Sequence, residues 1–161
     1  MRSPIPSYLD DVLATVASDK TGELANYIPE LAGVNPDRLG ASIAMVDGEL
    51  YGAGDVNEVF TIQSISKPFV YALALADRGF DKVLAKVGVE PSGEPFNEIS
   101  LEDESGRPLN PMINAGAITT HSLVGAENIS PEKRMERVIE GLSAFAGRPL
   151  QIDEAVYSSE I

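Results

Sequence analysis

The sequence predicts a mixed helix-and-strand fold, α/β in the broad (α+β) sense, on three observations. An Asp47-Gly48 pair joins two runs of strand-forming residues, and the later chain repeats apolar residues at helical spacing. The third is a length of 161 residues, 43% hydrophobic and 23% charged, which suits a globular chain around one hydrophobic core.

The elements follow in order. Leu9, Val12, Leu13 and Val16 share one helical face behind Pro6, with Gly22 closing the stretch, so the chain opens on an amphipathic helix. Ala41 to Val46 and Glu49 to Ala53 then form a β-hairpin, whose Asp47-Gly48 connection predicts a type I′ turn. A two-stranded hairpin is marginal by itself and needs further strands or helix cover. Helices are predicted over Ile65 to Arg78, Asp81 to Val87, Ile113 to Val124, Pro131 to Ala146 and from Glu154 onward. Phe69 to Ala76 is apolar nearly all round, which predicts a buried helix. Between these, Glu90 to Pro111 is rich in Pro, Gly, Ser and Asn and predicts a long irregular segment of the kind that carries function. No repeat or low-complexity tract is present.

Composition removes several chemistries. The absence of cysteine excludes disulfides, thiolate nucleophiles and Cys-based zinc sites, and a lone histidine, His121, excludes multi-imidazole metal sites. Any Ser-His-Asp triad has only His121 to use, so a hydrolase here needs another base; His121 itself reads as a satisfied or exposed helical residue. A formal charge of -13 disfavours nucleic acid and anionic lipid as partners and suggests tolerance of high salt, which screens self-repulsion. The opening Met1-Arg2-Ser3-Pro4-Ile5-Pro6 lacks an apolar core and does not read as a signal peptide, and Pro68 to Ala76 is too short to span a membrane. A cytoplasmic location is expected.

The sharpest local feature is Ser64-x-x-Lys67, at the head of an apolar helix whose start Pro68 helps to locate. Residues three apart share a helix face, so the Lys67 amine comes within reach of the Ser64 hydroxyl. A desolvated lysine can accept the proton that makes serine a nucleophile, and a helix N-terminus offers an N–H to the developing oxyanion. The spacing alone is weak evidence. It recurs at Ser130-Pro131-Glu132-Lys133, where the residues read as N-cap, first-turn proline, first-turn acid and solvated lysine, and Ser64 could equally be only a cap.

Five blocks in order carry more weight. Asn26 to Leu31, Phe60 to Pro68, Glu90-Pro91-Ser92-Gly93, Pro95-Phe96-Asn97 and Asn110 to Ile118 resemble the serine-dependent glutaminases, a family within the β-lactamase and penicillin-binding-protein fold group. The resemblance runs from about Tyr27 to Glu160. It implies hydrolysis of L-glutamine to L-glutamate and ammonia through a γ-glutamyl ester on Ser64, with Lys67 as the partner lysine and no metal or organic cofactor. It also implies substrate binding by Tyr27, Gln63, Asn114 and Glu160. Their chemistry suits that: Glu160 can face an α-ammonium, while the Asn114 amide and Tyr27 hydroxyl can donate to an α-carboxylate. Individually, Tyr27 reads equally as an ordinary packed residue, Asn114 as a helix cap and Glu160 as a solvated charge.

The resemblance departs in length. Glutaminases continue past the last matching block into an Arg-Asn segment, a proton-relay tyrosine, another binding tyrosine and a Gly-rich strand with the second oxyanion donor. The hairpin finds no third strand downstream, and Ser158-Ser159-Glu160-Ile161 carries no helix-stop signal. The chain is therefore expected to be the N-terminal half of the enzyme, inactive alone, with the missing C-terminal half as partner and a homo-oligomer when complete. Residues 1–59 are expected to supply a helix and hairpin to an incomplete antiparallel sheet, and residues 60–161 the nucleophile helix and a helical subdomain, with the active site in the cleft between those layers. Three rivals remain: a penicillin-recognising acylase using the same Ser64 and Lys67, which a β-lactam would label; a non-catalytic acidic module that binds a basic partner; and an inactive half that docks its own missing half through the open hairpin edge.

Overall fold

A computed structural model describes residues 3–160; Met1, Arg2 and Ile161, on which the readings of the two chain ends partly rest, lie outside the described residues. The chain forms two compact units, Met1–Thr61 with Ile152–Ile161, and Ile62–Gln151.

In the first unit, α1 (Ile5–Val16) has Pro6 in its opening turn, where a missing N–H costs nothing, and buries Leu9. It packs on an antiparallel pair, β1 (Gly40–Ala44) and β2 (Leu50–Gly54), in the register Ala41↔Ala53 and Ile43↔Tyr51. Those four residues alternate with exposed neighbours, the period-two pattern of a sheet covered on one side. Among the described residues the sheet has these two strands.

The turn differs from the type I′ expectation. Such a turn needs positive φ at both central residues, but Asp47 keeps negative φ and Gly48 alone is positive, at 90°. Gly48 N–H donates to Met45 O, Met45 N–H to Glu49 O, and Glu49 N–H to Asp47 Oδ1, which makes a three-residue loop closed by a left-handed glycine. The strands accordingly end at Ala44 and begin again at Leu50.

A four-residue helix, α2 (Pro29–Ala32), was not expected from the sequence; one turn is too short to show a period. It packs with α7 (Glu154–Glu160), and Ser159 Oγ donates to Glu30 Oε2 at 2.6 Å.

The second unit is helical. A 3₁₀ turn (Gln63–Ile65) leads into α3 (Ser66–Arg78), followed by α4 (Phe80–Leu84), α5 (Asn114–Ser122) and α6 (Pro131–Ala146). Val70, Leu73, Ala74, Val83, Val124, Val138 and Leu142 form its core. α3 and α6 approach closely at Gly141, where a Cβ would stand 2.5 Å from the Leu73 methyls. α6 matches its expected bounds because its signals are local: Ser130 accepts from Lys133 N–H, Pro131 opens the helix, and left-handed Gly147 closes it.

Other bounds shift. α4 runs Phe80–Leu84 instead of Asp81 to Val87, and α5 stops at Ser122, because turns leading to left-handed Gly125 take over beyond it. α3 is buried on one face only; Ala72 and Ala76 are exposed, since alanine holds a helix without needing cover.

Asp77 ties this unit together. It accepts from Gly125 N–H at 2.8 Å and from Arg137 Nη2 at 2.8 Å, linking α3, the turn after α5, and α6. Burial pushes its carboxyl pKa up, but the Arg137 and Gly125 hydrogen bonds and the Arg137 and Arg78 charges outweigh that and hold it below the ordinary aspartate value. A lowered folded pKa contributes stability that is present above the unfolded value and lost as pH falls through the folded one. Asp77→Asn should therefore cost about 1–3 kcal/mol in urea unfolding at neutral pH, and its difference from wild type should shrink below about pH 4.

Candidate active site

The site begins with an unusual backbone. Gln63 has φ +44°, a left-handed conformation uncommon without glycine, and it immediately precedes Ser64. The chain then winds through the 3₁₀ turn, where Ser66 Oγ donates to Gln63 O at 2.7 Å, and α3 starts at Ser66. Pro68 is the third residue of α3, where its lack of an N–H leaves no hydrogen bond unmade. The helix thus starts two residues beyond Ser64. Ile65 occupies the N-cap and receives no side-chain cap bond, so Ser64 does not act as a cap.

One turn along, Lys67 is half-buried and its Nζ donates to Met112 O at 3.0 Å and to Asn114 Oδ1 at 2.7 Å. The same Nζ stands 5.4 Å from the centre of the Phe96 ring. Ser64, Lys67, Phe96 and Met112 line an open pocket of about 280 Å³, near the lower end of small-molecule sites. Ser64 and Lys67 share the pocket, but the amine's hydrogen bonds go to Met112 and Asn114. Burial lowers the Lys67 pKa, raising the share of neutral amine.

What holds Met112 and Asn114 in place is the irregular segment before α5. Gly88 N–H donates to Pro108 O, Glu90 N–H to Leu109 O and Leu109 N–H to Ser100 O, while Leu101 and Pro108 form an isolated β-bridge. Arg107 anchors the loop by pairing with Glu102 and donating to Leu84 O. Asn110 Oδ1 then accepts from both Met112 and Ile113 N–H, an Asx turn that aims the Met112 carbonyl, and Asn114 N–H donates to Phe96 O at 2.9 Å. Gly116 lets α5 close on this turn, because a Cβ there would lie 1.8 Å from Asn110 O.

The structure therefore gathers Ser64, Lys67 and Asn114 in one unit, with Gln63 adjacent in the chain. Asn114 is the first residue of α5; the role of turn-former falls to Asn110. Tyr27 and Glu160 belong to the other unit: Tyr27 is exposed beside Ile28, which caps α2, and Glu160 ends α7. His121 lies half-buried in α5, its pKa lowered first by burial and then by the Arg134 charge. Among the described residues no cluster of His, Asp or Glu is arranged to hold a metal ion. Spacing alone does not single out Phe96, Met112, Asn110 or Gly116, although Asn110-Pro111 before a helix is a turn signal.

The sequence pattern that defines the Glutaminase family matches residues 22–161. The chain belongs to the glutaminase family. It is 51% identical over 158 residues to a glutaminase of Corynebacterium efficiens, covering 98% of this chain and 37% of that protein. A glutaminase of Trichormus variabilis is 49% identical, with 98% and 47% covered. Among solved structures, Mglu in its native form superposes with a TM-score of 0.92 at 51% identity, over 99% of this chain and 39% of that one. The probable glutaminase from Bacillus subtilis complexed with 6-diazo-5-oxo-L-norleucine gives 0.81 at 35% identity, over 99% and 48%. This family member thus spans less than half the length of these relatives.

The close approach at Gly116 is testable. Gly116→Ala should force α5 away from the Asn110 turn and lower stability by about 1–3 kcal/mol or more, read as a fall in the urea midpoint.

Proposed function

We propose that this chain carries the nucleophile and its base for hydrolysis of L-glutamine to L-glutamate and ammonia, within a β-lactamase-like arrangement. The observation that supports this reading best is the Lys67 amine, held by Met112 O and Asn114 Oδ1 on the pocket that Ser64 also lines, in a glutaminase-family chain.

In this reading the neutral Lys67 amine takes the Ser64 proton as Oγ attacks the γ-carboxamide carbon. The C–N bond breaks, ammonia leaves with a returned proton, and water then cleaves the γ-glutamyl ester. The first N–H groups of the turn and of α3 face the developing oxyanion, assisted by the positive end of the helix. A neutral amine has two N–H bonds for its two acceptors and one lone pair left over for the serine proton. Asn114 has a double task in the proposal: its Oδ1 holds Lys67 and its Nδ2 remains to donate to the substrate α-carboxylate.

Tyr27, Gln63 and Glu160 are proposed as further substrate-binding residues on the family resemblance, with Glu160 facing the α-ammonium. The second oxyanion donor and the relay tyrosine are proposed to come from the part of the relatives that this chain does not span. Loss of a single oxyanion donor slows such reactions by roughly 10² to 10³, so the chain alone is proposed to be inactive. A cytoplasmic location is proposed as part of the same reading.

The test is ammonia release from glutamine by the chain joined to, or mixed with, the downstream part of the enzyme. Ser64→Ala should abolish turnover and Lys67→Ala should lower kcat by roughly 10² to 10⁴. Turnover left unchanged by either substitution overturns the assigned roles. The rate should rise with pH as Lys67 loses its proton and level off above its lowered pKa, which places the rising limb below the ordinary lysine value of about 10.4.

A further inference from the structure

Of the two large apolar residues that line the pocket, Phe96 is more exposed than Met112. Its side chain is 63% exposed, on a loop otherwise tied down by backbone hydrogen bonds, and it belongs to no core cluster. A loop residue held out at a pocket in this way points to function more than to stability. Its ring and its backbone meet two residues that touch each other. The ring presents itself to Lys67 Nζ at 5.4 Å, and the backbone carbonyl accepts the N–H of Asn114, whose side chain in turn accepts from that Nζ.

Lys67 Nζ is therefore bounded by a carbonyl, an amide oxygen and a π-system. The first two take N–H bonds from either protonation state of the amine. The ring differs: its quadrupole attracts an ammonium and is nearly indifferent to a neutral amine. It also keeps water from that side of the nitrogen, which acts in the opposite sense by disfavouring charge.

We propose that Phe96 is a positioning residue for the Lys67 base: its ring stabilises the ammonium formed when Ser64 gives up its proton, and its backbone holds Asn114 against the same nitrogen. This rests on the reading of Lys67 as the base for Ser64.

Two substitutions separate the ring's effects. Phe96→Leu keeps an apolar cover but removes the quadrupole, so the Lys67 titration should move down by about half a pH unit. Phe96→Ala removes cover as well and lets water reach the nitrogen, so the titration should lie above that of Phe96→Leu. Phe96→Tyr keeps a π face and should leave it unchanged. Because the ring is exposed, all three variants should unfold at the wild-type urea midpoint, which a merely structural role for Phe96 would not predict.

The titration is read on the full chain by NMR of ¹³C-labelled lysine, with the Lys67 signal assigned by its loss in Lys67→Arg. Ammonia release is read in the enzyme completed with its downstream part. The expected result is a lowered titration in the leucine variant with the alanine variant above it, Phe96→Leu lowering kcat several-fold at unchanged KM and Phe96→Tyr restoring it. A Lys67 titration that is the same in wild type, leucine and alanine variants overturns the proposal even if glutamine turns over normally. Shifts of the expected sign without glutamine-dependent ammonia support the ring's hold on Lys67 and overturn the glutaminase reading instead.

Discussion

The two hydrogen bonds from Lys67 Nζ to the Met112 carbonyl and the Asn114 amide oxygen are the constraint on which the site depends. A lysine side chain has four rotatable bonds and loses up to about 2 kcal/mol of conformational freedom when held in one geometry. A single acceptor would not direct its nitrogen; two acceptors and a ring face do. Half-burial then makes the amine easier to deprotonate than a solvated lysine, while the acceptors keep it at the pocket that Ser64 lines.

Those acceptors come from outside α3, so the long segment between α4 and α5 is as much part of the candidate site as α3. Its backbone runs without regular structure, yet its polar groups are satisfied in sequence: Gly88 with Pro108, Glu90 with Leu109, Leu109 with Ser100, and the Asn110 side chain with Met112 and Ile113. Arg107 holds the loop to the end of α4. Gly116 removes the side chain that would keep α5 from seating on the turn. The α3–α6 core beneath, with Gly141 against Leu73 and Asp77 bridging to Arg137 and Gly125, gives α3 a firm bed.

Legibility in the sequence followed how local each signal was. α6 was readable to the residue because cap, proline and terminal glycine all lie at its ends or next to them. The hairpin was readable as a hairpin, but its turn was not, because Asp-Gly serves both the type I′ turn and the three-residue loop found here, and only the dihedral angle of Asp47 separates them. α2 carried no period, and the bounds of α4 and α5 were set by turns and not by the apolar pattern. Phe69 to Ala76 predicts a helix buried nearly all round, whereas α3 is buried on one face only, and the groups that meet the Lys67 amine come from the segments across from it.

By itself the sequence determined the mixed helix and strand content, the absence of thiol and multi-histidine chemistry, the Ser64–Lys67 pair at a helix start, and membership of the glutaminase family through five ordered blocks. Composition and spacing suffice for these because each depends on residue identity or on neighbours a few positions apart. Only the tertiary structure decided which groups grip the lysine nitrogen, since Met112 and Asn114 lie 45 and 47 residues from it in the chain. No periodicity spans such a gap. Contacts of that range are chosen by core packing and by the need to satisfy buried backbone groups, and both act only once the chain has folded.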